Sequence, residues 1–536
     1  MVKRVMLVSF YDETCYGGRC LAATLKEAGH QVLMVFFKRF RIREVSRDDL
    51  TLRRKLDEEG YQPCYETWPS FDVACPYPYP VSEKEFELFY QKIRDFAPDI
   101  LGFSVMSFHL PLTVRLSKEV RQRFPSLMQV WGGVHATMNP DSCLEYADAV
   151  CVGEGEEAFL EFLRDPRRTD VRNFCTKDRD GTIIHNPVRP LIQDFDALPF
   201  ALYADPECEV VIEDNHETSD VTETAGNMFL CITSQRGCPF KCTYCLHGRI
   251  RQIYAGQKYM RRRSVDRFLD EVALRVRQFG IDHVFFWDDV LMMDRKWVEE
   301  FAAKYPSRIG LPFGGYGHPQ LSTPQILKLM REAGAYYVLV GMQSGSDYIQ
   351  QKIYGRGTTK AKYIEFGRHI AAAGYPEIVY EVMIRNPFES EQDLKETIDL
   401  LSRMPKSVRV STKHLALFPN TVISTLDAPR PGVSMEIFHF YNLLYFLAGV
   451  PGFELKDLAP LAENADLQAH PEILERLVKL IFAAEANRQK LEGEVSILQR
   501  RLDALEGTMP WGIKRSTRHL LGQIGNRLKR DGQPVP

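Results

Sequence analysis

The chain has 536 residues, 45% of them hydrophobic and 26% charged, with a formal net charge of -3. That length calls for more than one domain, and the apolar share is enough to build cores. The near-balanced charge excludes a chain-wide nucleic-acid footprint. No apolar run is long enough to span a bilayer; the longest, YNLLYFLAGVPGF from Tyr441, is short and broken by Gly and Pro.

The start, MVKR, leads straight into the strand-like KRVMLVSF, so no signal peptide is expected, and the cysteine usage raises the expectation of a reducing, cytoplasmic location. A helical RCLAATLKEAGH and a strand QVLMVFF come next. A Pro- and Tyr-rich insert at about 40–80 reads as irregular. The helix SEKEFELFYQKIRDFAPD, the strand ILGFSVMS, the helix PLTVRLSKEVRQRFP and the strand MQVWGG follow. A short helix near Cys143, the strand DAVCVGEG and the helix EEAFLEFLRD complete the run. Apolar strands between amphipathic helices predict an α/β domain over 1–165. Its architecture is a doubly wound, Rossmann-like parallel sheet with any ligand at the carboxyl ends of the strands.

Residues 166–228 read as a connector with a hairpin around Asp180-Gly181 and a polar loop, DNHETSDVTETAGN. Over 229–425 six strand-like runs recur: FLCITS, HVFFWDD, LPFGGY, YYVLVGM, IVYEVMI and SVRVSTKHLAL. Helices lie between them. In one, Val265, Phe268, Leu269, Val272 and Val276 form an apolar stripe behind the N-cap candidate Ser264. SEQD at Ser390–Asp393 is a capping box. The pattern predicts a partial (β/α)6 TIM-type barrel with its chemistry at the carboxyl rim.

Residues 426–536 read as a helical region. Leu491, Val495, Leu498, Leu502 and Leu505 make a short coiled-coil-like seam. In the tail, Ile513, Thr517, Leu520, Leu521, Ile524 and Leu528 recur at helical spacing beside Lys514, Arg515, Arg518, Arg527 and Lys529. Such a segment suits peripheral contact with an anionic membrane, at its inner face, or docking on protein. Gly512, Gly522 and Gly525 weaken it as a free helix.

Twelve cysteines in so long a chain suit a reducing compartment rather than a disulfide framework. Three of them, Cys238, Cys242 and Cys245, crowd into SQRGCPFKCTYCLHG. One reading is a structural zinc site completed by His247. Another is a redox pair, Cys242 and Cys245, which lacks a thioredoxin-like context. A third is a 4Fe–4S cluster on three thiolates, with one iron left open.

C-x3-C-x2-C after a strand that opens a β/α barrel, with RGCP before it and the aromatic Tyr244 within it, resembles the radical S-adenosylmethionine (radical SAM) family. Later strand ends resemble it too. FFWDD ends the second strand. GMQSGSD is similar to G-x-E-S-G, with Gln343 in place of Glu. IRNPFESEQD resembles G-x-P-x-E-T, with Arg385-Asn386 where Gly is common, and LFPNT resembles P-x-x-G-T. The resemblance implies a cluster on Cys238, Cys242 and Cys245. It also implies SAM contacts from Tyr244, Asp288, Asp289 and Ser344. Without the motif, Asp288 and Asp289 read as a solvated strand end or a helix cap.

Residues 98–160 carry PDILGFSVMSF, VWGGVHATMNPD and ADAVCVGEGEEAF. They resemble the cobalamin-binding domain that precedes a radical SAM barrel. The contacts so implied are Ser104, Ser107, Gly132, Gly133, His135, Thr137, Gly153, Glu154 and Gly155. Many cobalamin domains carry D-x-H-x-x-G after the first strand, but here YDETCYGGR has Asp12 and no His. The resemblance therefore implies cobalamin without a protein histidine on cobalt. The alternative is a Rossmann-like domain that binds a nucleotide or nothing, though G-x-G-x-x-G is absent after the first strand.

What the resemblance implies is a cobalamin-dependent radical SAM methyltransferase. An external electron donor feeds the cluster, SAM yields a 5′-deoxyadenosyl radical, and methylcobalamin methylates an unactivated carbon of a small-molecule or lipid-linked substrate. A second SAM restores the methyl group. The substrate must lie between the two carboxyl-terminal rims, so the domains should face each other. Two alternatives stand beside it: a ring-forming or oxidative enzyme of the same subgroup, and a non-catalytic cobalamin- or redox-responsive binding protein. No residue is expected to act as a general acid or base.

Overall fold

The computed structural model describes residues 2–478 apart from 13, 40–41, 47–48, 60, 62–73, 220–231, 406–407, 428–432, 449–452 and 477. The seam at 491–505 and the basic tail lie outside the described residues.

The N-terminal sheet is built on β1 (Arg4–Phe10) and β2 (Gln31–Phe37). The insert contributes β3 (Ile42–Ser46) and β4 (Ala74–Pro78), with a helix at Leu50–Glu58 between them. It is thus more regular than its composition predicts. The reason is that β3 and β4 pair only with each other. Each keeps an outer edge, where Pro76 and Pro78 need donate no hydrogen bond.

The sheet continues with β5 (Ile100–Ser104), β6 (Met128–Gly132) and β7 (Ala149–Cys151). Met6, Val8 and Phe10 of β1 face one apolar core while Val5 and Leu7 face the other, so both sides are covered. The connector adds β8 (Phe174–Lys177), β9 (Ile183–His185), β10 (Glu209–Glu213) and β11 (His216–Thr218). The full order is β11-β10-β2-β1-β5-β6-β7-β8-β9. The connector therefore finishes the first sheet on both flanks, which removes two unpaired edges beside β2 and β7. The buried ion pair Arg19–Glu209, at 2.8 Å, fixes β10 against the first helix. Asp180-Gly181 does turn the β8–β9 hairpin.

The central unit begins with a short antiparallel pair, β12 (Gln235–Arg236) and β13 (Arg261–Arg262). Then come five parallel strands in sequential order: β14 (Val284–Phe286), β15 (Phe313–Gly317), β16 (Ala335–Gln343), β17 (Glu377–Ile384) and β18 (Val408–His414). The first of the six predicted runs appears among the described residues as one parallel bridge, Ile232 to Phe286. Just beyond it the chain leaves the sheet to pair β12 with β13.

Helices cover the outer face. Ser264 caps Val265–Phe279 by accepting from the Arg267 amide, and Val265, Phe268, Leu269 and Val272 are buried. Ser390 and Asp393 form the capping box of Glu391–Ser402. The helix Met435–Ala448 joins the same core through Leu443 and Leu444. Among the described residues no helix is long and apolar enough to cross a membrane.

Candidate active site

Gly237 sets the entry to the three-cysteine loop. Its φ of +99° and the 2.6 Å from an added Cβ to the Tyr259 carbonyl admit only glycine. The loop is pinned by the Thr243 amide, which donates to the Tyr354 carbonyl at 3.0 Å. The Cys245 amide donates to the Cys242 carbonyl at 3.1 Å. Burial pushes the Cys238 and Cys245 thiols up to about 12, and their neighbouring cysteines add to the rise.

His247 is committed elsewhere: Nδ1 meets the Tyr259 hydroxyl at 2.6 Å and Nε2 meets Asp289 Oδ2 at 3.0 Å. With His247 so engaged, the three thiols of the loop are the donor set of a cluster that takes one thiolate per iron.

The predicted SAM residues divide into two pairs. Tyr244 and Asp289 lie beside the cysteines. The Tyr244 hydroxyl is 2.5 Å from Arg356 Nη1, its ring stands edge-on to Tyr354, and Asp289 keeps a side chain 36% exposed. Asp288 and Ser344 are buried. Asp288 accepts from the Ser234 amide at 3.0 Å and hydroxyl at 2.5 Å, with Arg262 at 3.9 Å. Burial raises its pKa against the pull of Arg262. The Ser344 hydroxyl donates to Glu389 Oε1 at 2.9 Å. Glu389 is fully buried, its Oε2 has no partner, and desolvation lifts it to about 8.

Arg356 was not among the residues singled out from the sequence. It donates to the Gly341 carbonyl at 2.6 Å, and its buried Nε has no partner. It sits between Gly355 and Gly357, both at positive φ. A lone Arg bracketed by two glycines was the signal available. Gln343 holds φ +71° at the end of β16, with Oε1 buried and unpaired. That is a strained backbone aimed into the same rim.

In the first domain the strand order reverses direction between β1 and β5, since β2 lies on one side of β1 and β5 on the other. A cavity of about 230 Å³ opens there, between the sheet and the helices Tyr16–Glu27 and Glu156–Phe162. This is the place where doubly wound sheets take ligands. Ser104, Gly132, Gly133, Gly153, Glu154 and Gly155 line it, as do Cys15, Gly17 and Arg236 (the Arg of RGCP), none of which the sequence offered as a cobalamin contact. At Gly133, φ +87°, a Cβ would lie 3.0 Å from the Val105 amide.

Ser107, His135 and Thr137 are not in the cavity wall. The Ser107 hydroxyl is 2.9 Å from His135 Nδ1, and Thr137 Oγ1 accepts from the Gly153 amide at 3.0 Å. His135 Nε2 is buried without a partner, and burial lowers its pKa. Asp12 accepts from the Cys15 amide at 2.8 Å and so holds the turn into the first helix. A mostly apolar cavity lined by Gly17, Gly18, Gly102, Gly132, Gly133, Gly153 and Gly155 lets backbone approach a bulky organic cofactor closely.

The two rims meet. Asn420 Nδ2, in the loop after β18, donates to the Met138 carbonyl, in the segment after β6, at 2.7 Å. Phe108, after β5, packs edge-on to Phe418 at 5.7 Å. The carboxyl ends of both sheets therefore face one another, as the sequence reading expected.

Comparison with known proteins agrees with this division. Residues 232–401 match the radical SAM superfamily and residues 72–163 match the B12 binding domain. An uncharacterized methyltransferase of Pyrococcus horikoshii is 24% identical over 58% of this chain. The cytidylyl-2-hydroxyethylphosphonate methyltransferase of Streptomyces wedmorensis is 29% identical over 49% of it. The chain spans 66% and 53% of those two relatives' own lengths. Among solved structures, the cobalamin-dependent S-adenosylmethionine radical enzyme OxsB aligns over 99% of this chain and 84% of its own, with TM-score 0.60 and 15% identity. That level of identity speaks for the fold.

Proposed function

We propose that this chain, with its radical SAM superfamily match over residues 232–401 and its B12 binding domain match over residues 72–163, takes a 4Fe–4S cluster, S-adenosylmethionine and cobalamin as cofactors and methylates a carbon of a small-molecule substrate. The observation that carries the reading is the meeting of the two rims through Asn420–Met138 and Phe108–Phe418, which supports a substrate bound between the first-domain cavity and the cysteine loop.

When bound, the cluster supplies an electron to SAM and cobalamin supplies a methyl group. The chain's own residues do the rest. Cys238, Cys242 and Cys245 hold the cluster. Asp289 and Tyr244, with Arg356 donating to the Tyr244 hydroxyl, would orient SAM through its amino group and adenine side. Ser104, Gly132, Gly133, Gly153, Glu154 and Gly155 would admit the corrinoid, and His135, held by Ser107, would support the Gly132–Gly133 turn from behind the cavity wall. Phe285 packs edge-on to Trp287 and to Tyr316, an aromatic group close in sequence to Asp289. No acid or base is needed at an inert carbon. An external one-electron donor completes the partners, and a lipid-linked substrate rests on the tail alone.

The test is anaerobic reconstitution with methyl-labelled SAM and mass spectrometry of small-molecule pools. A labelled CH₂ gain supports methylation. Loss of hydrogens without label would place the protein with the ring-forming or oxidative members, and no SAM cleavage would leave a binding protein.

A further inference from the structure

The loop Gly153–Glu156 touches the first-domain cavity and both ends of the cysteine-bearing segment. Gly153, Glu154, Gly155 and Glu156 line the cavity, and Arg236 closes it from the other domain. Arg236 Nη1 is 3.2 Å from Glu154 and Nη2 is 2.5 Å from Glu156. Glu156 is buried, so this is a desolvated, two-pronged bridge that loses much if either partner moves. Arg261, paired with Arg236 across the β12–β13 ladder, holds Glu154 again at 2.9 Å.

Only Gly237 separates Arg236 from Cys238, and its backbone is wedged against Tyr259. The upstream end of the cysteine loop is thus tied to the cavity wall with almost no slack.

The downstream end is tied to the same loop. Cys245 is the N-cap of the helix Leu246–Ile253, and Tyr254 follows that helix directly. The Tyr254 hydroxyl accepts from the Glu154 amide at 3.0 Å and from Asn173 Nδ2 at 3.3 Å. A Cβ on Gly153 would lie 1.9 Å from that hydroxyl, so ring and loop are in close contact. A short helix transmits displacement as a rigid lever rather than absorbing it.

We propose that Arg236 and Tyr254 are positioning residues that clamp the cysteine loop to Gly153–Glu156 at both ends, so that filling the first-domain cavity and ordering Cys238–Cys245 are energetically coupled. The inference rests on the corrinoid reading of the cavity. Coupling of this kind is reciprocal: whatever factor the corrinoid contributes to order in the loop, an ordered loop returns to corrinoid affinity.

The experiment is titration of hydroxocobalamin, followed by visible absorbance, into anaerobic full-length protein with and without reconstituted iron-sulfur cluster. Hydrogen exchange of residues 237–246 in the cluster-free form is the second readout. Wild type should bind at least about fivefold more tightly when the cluster is present, and hydroxocobalamin should slow exchange of 237–246. Tyr254→Phe keeps the ring and loses the hydroxyl. Arg236→Lys keeps the charge and loses the two-pronged fork. In each, both cofactors should still bind, while the affinity ratio falls toward one and the exchange protection is lost. A purely structural role would weaken both forms equally and leave the ratio alone. Equal wild-type affinities, or a ratio unchanged in both variants, overturn the clamp while the corrinoid site stands. No hydroxocobalamin binding by either form overturns the corrinoid reading and the clamp with it.

Discussion

His247 and Asp289 face each other across the rim, with Nε2 3.0 Å from Oδ2, while the other ring nitrogen meets Tyr259. The imidazole next to the third cysteine is therefore spent on an acidic residue and a phenol. It orients Asp289 rather than serving as a fourth ligand.

Two substitutions separate the metal readings. Cys242→Ala should lose the cluster and SAM cleavage, whereas His247→Ala should keep about four irons per chain after anaerobic reconstitution. Iron analysis and absorbance of both variants check this. Stoichiometric zinc in protein prepared without oxygen, lost on His247→Ala, would reverse the assignment.

Gly153→Ala should be among the most damaging single-methyl changes in the chain. Its φ is +79° and the new Cβ falls 1.9 Å from the Tyr254 hydroxyl. A cost of about 2 kcal/mol or more is expected from strain and clash together. Adding Tyr254→Phe should return part of it, because the clashing oxygen is gone. Denaturant melts of the two single variants and the double variant give the coupling directly.

Glu389 gives a pH signature. Its folded pKa of about 8 exceeds that of an ordinary carboxyl because burial disfavours the charge. A carboxyl raised on folding binds its proton more tightly in the native state. Its contribution to stability is therefore whole below the unfolded pKa and falls as pH rises toward 8, by at most about 1.4 kcal/mol per pH unit. Glu389→Gln should flatten that part of the profile between pH 5 and 8. Paired melts across the range are the check, and parallel profiles would mean that Glu389 is already ionised in the folded state.

His135→Ala should change hydroxocobalamin affinity by less than about threefold, because the imidazole is buried outside the cavity wall. It should leave the electron paramagnetic resonance of bound cob(II)alamin unchanged. The first-strand loop carries Asp12 without His, and His135 Nδ1 is held by Ser107. Nitrogen superhyperfine splitting that vanishes in His135→Ala would show imidazole on cobalt instead.

The tail prediction stands on sequence alone, since residues 511–529 lie outside the described residues. Full-length protein should co-sediment with anionic vesicles, and a truncation after Glu506 should not. Equal binding by the two proteins would leave the tail without a membrane role.

The division into a doubly wound sheet and a partial barrel was legible in the sequence because each rests on local periodicity. Strand runs such as QVLMVFF and helix stripes such as Val265-Phe268-Leu269-Val272 declare themselves within one or two turns of chain. The cysteine loop was legible for the same reason: its chemistry is written into eight consecutive residues. Sequence could not separate Asp288 from Asp289, which are adjacent and chemically identical. Only packing buried the first against Ser234 and left the second at the rim beside His247. Arg236, Tyr254 and Asn420 were likewise invisible as a set. Their partners lie 80 to 282 residues away, and pairing at that separation is decided by how the two sheets dock, a matter of tertiary geometry that no local pattern encodes.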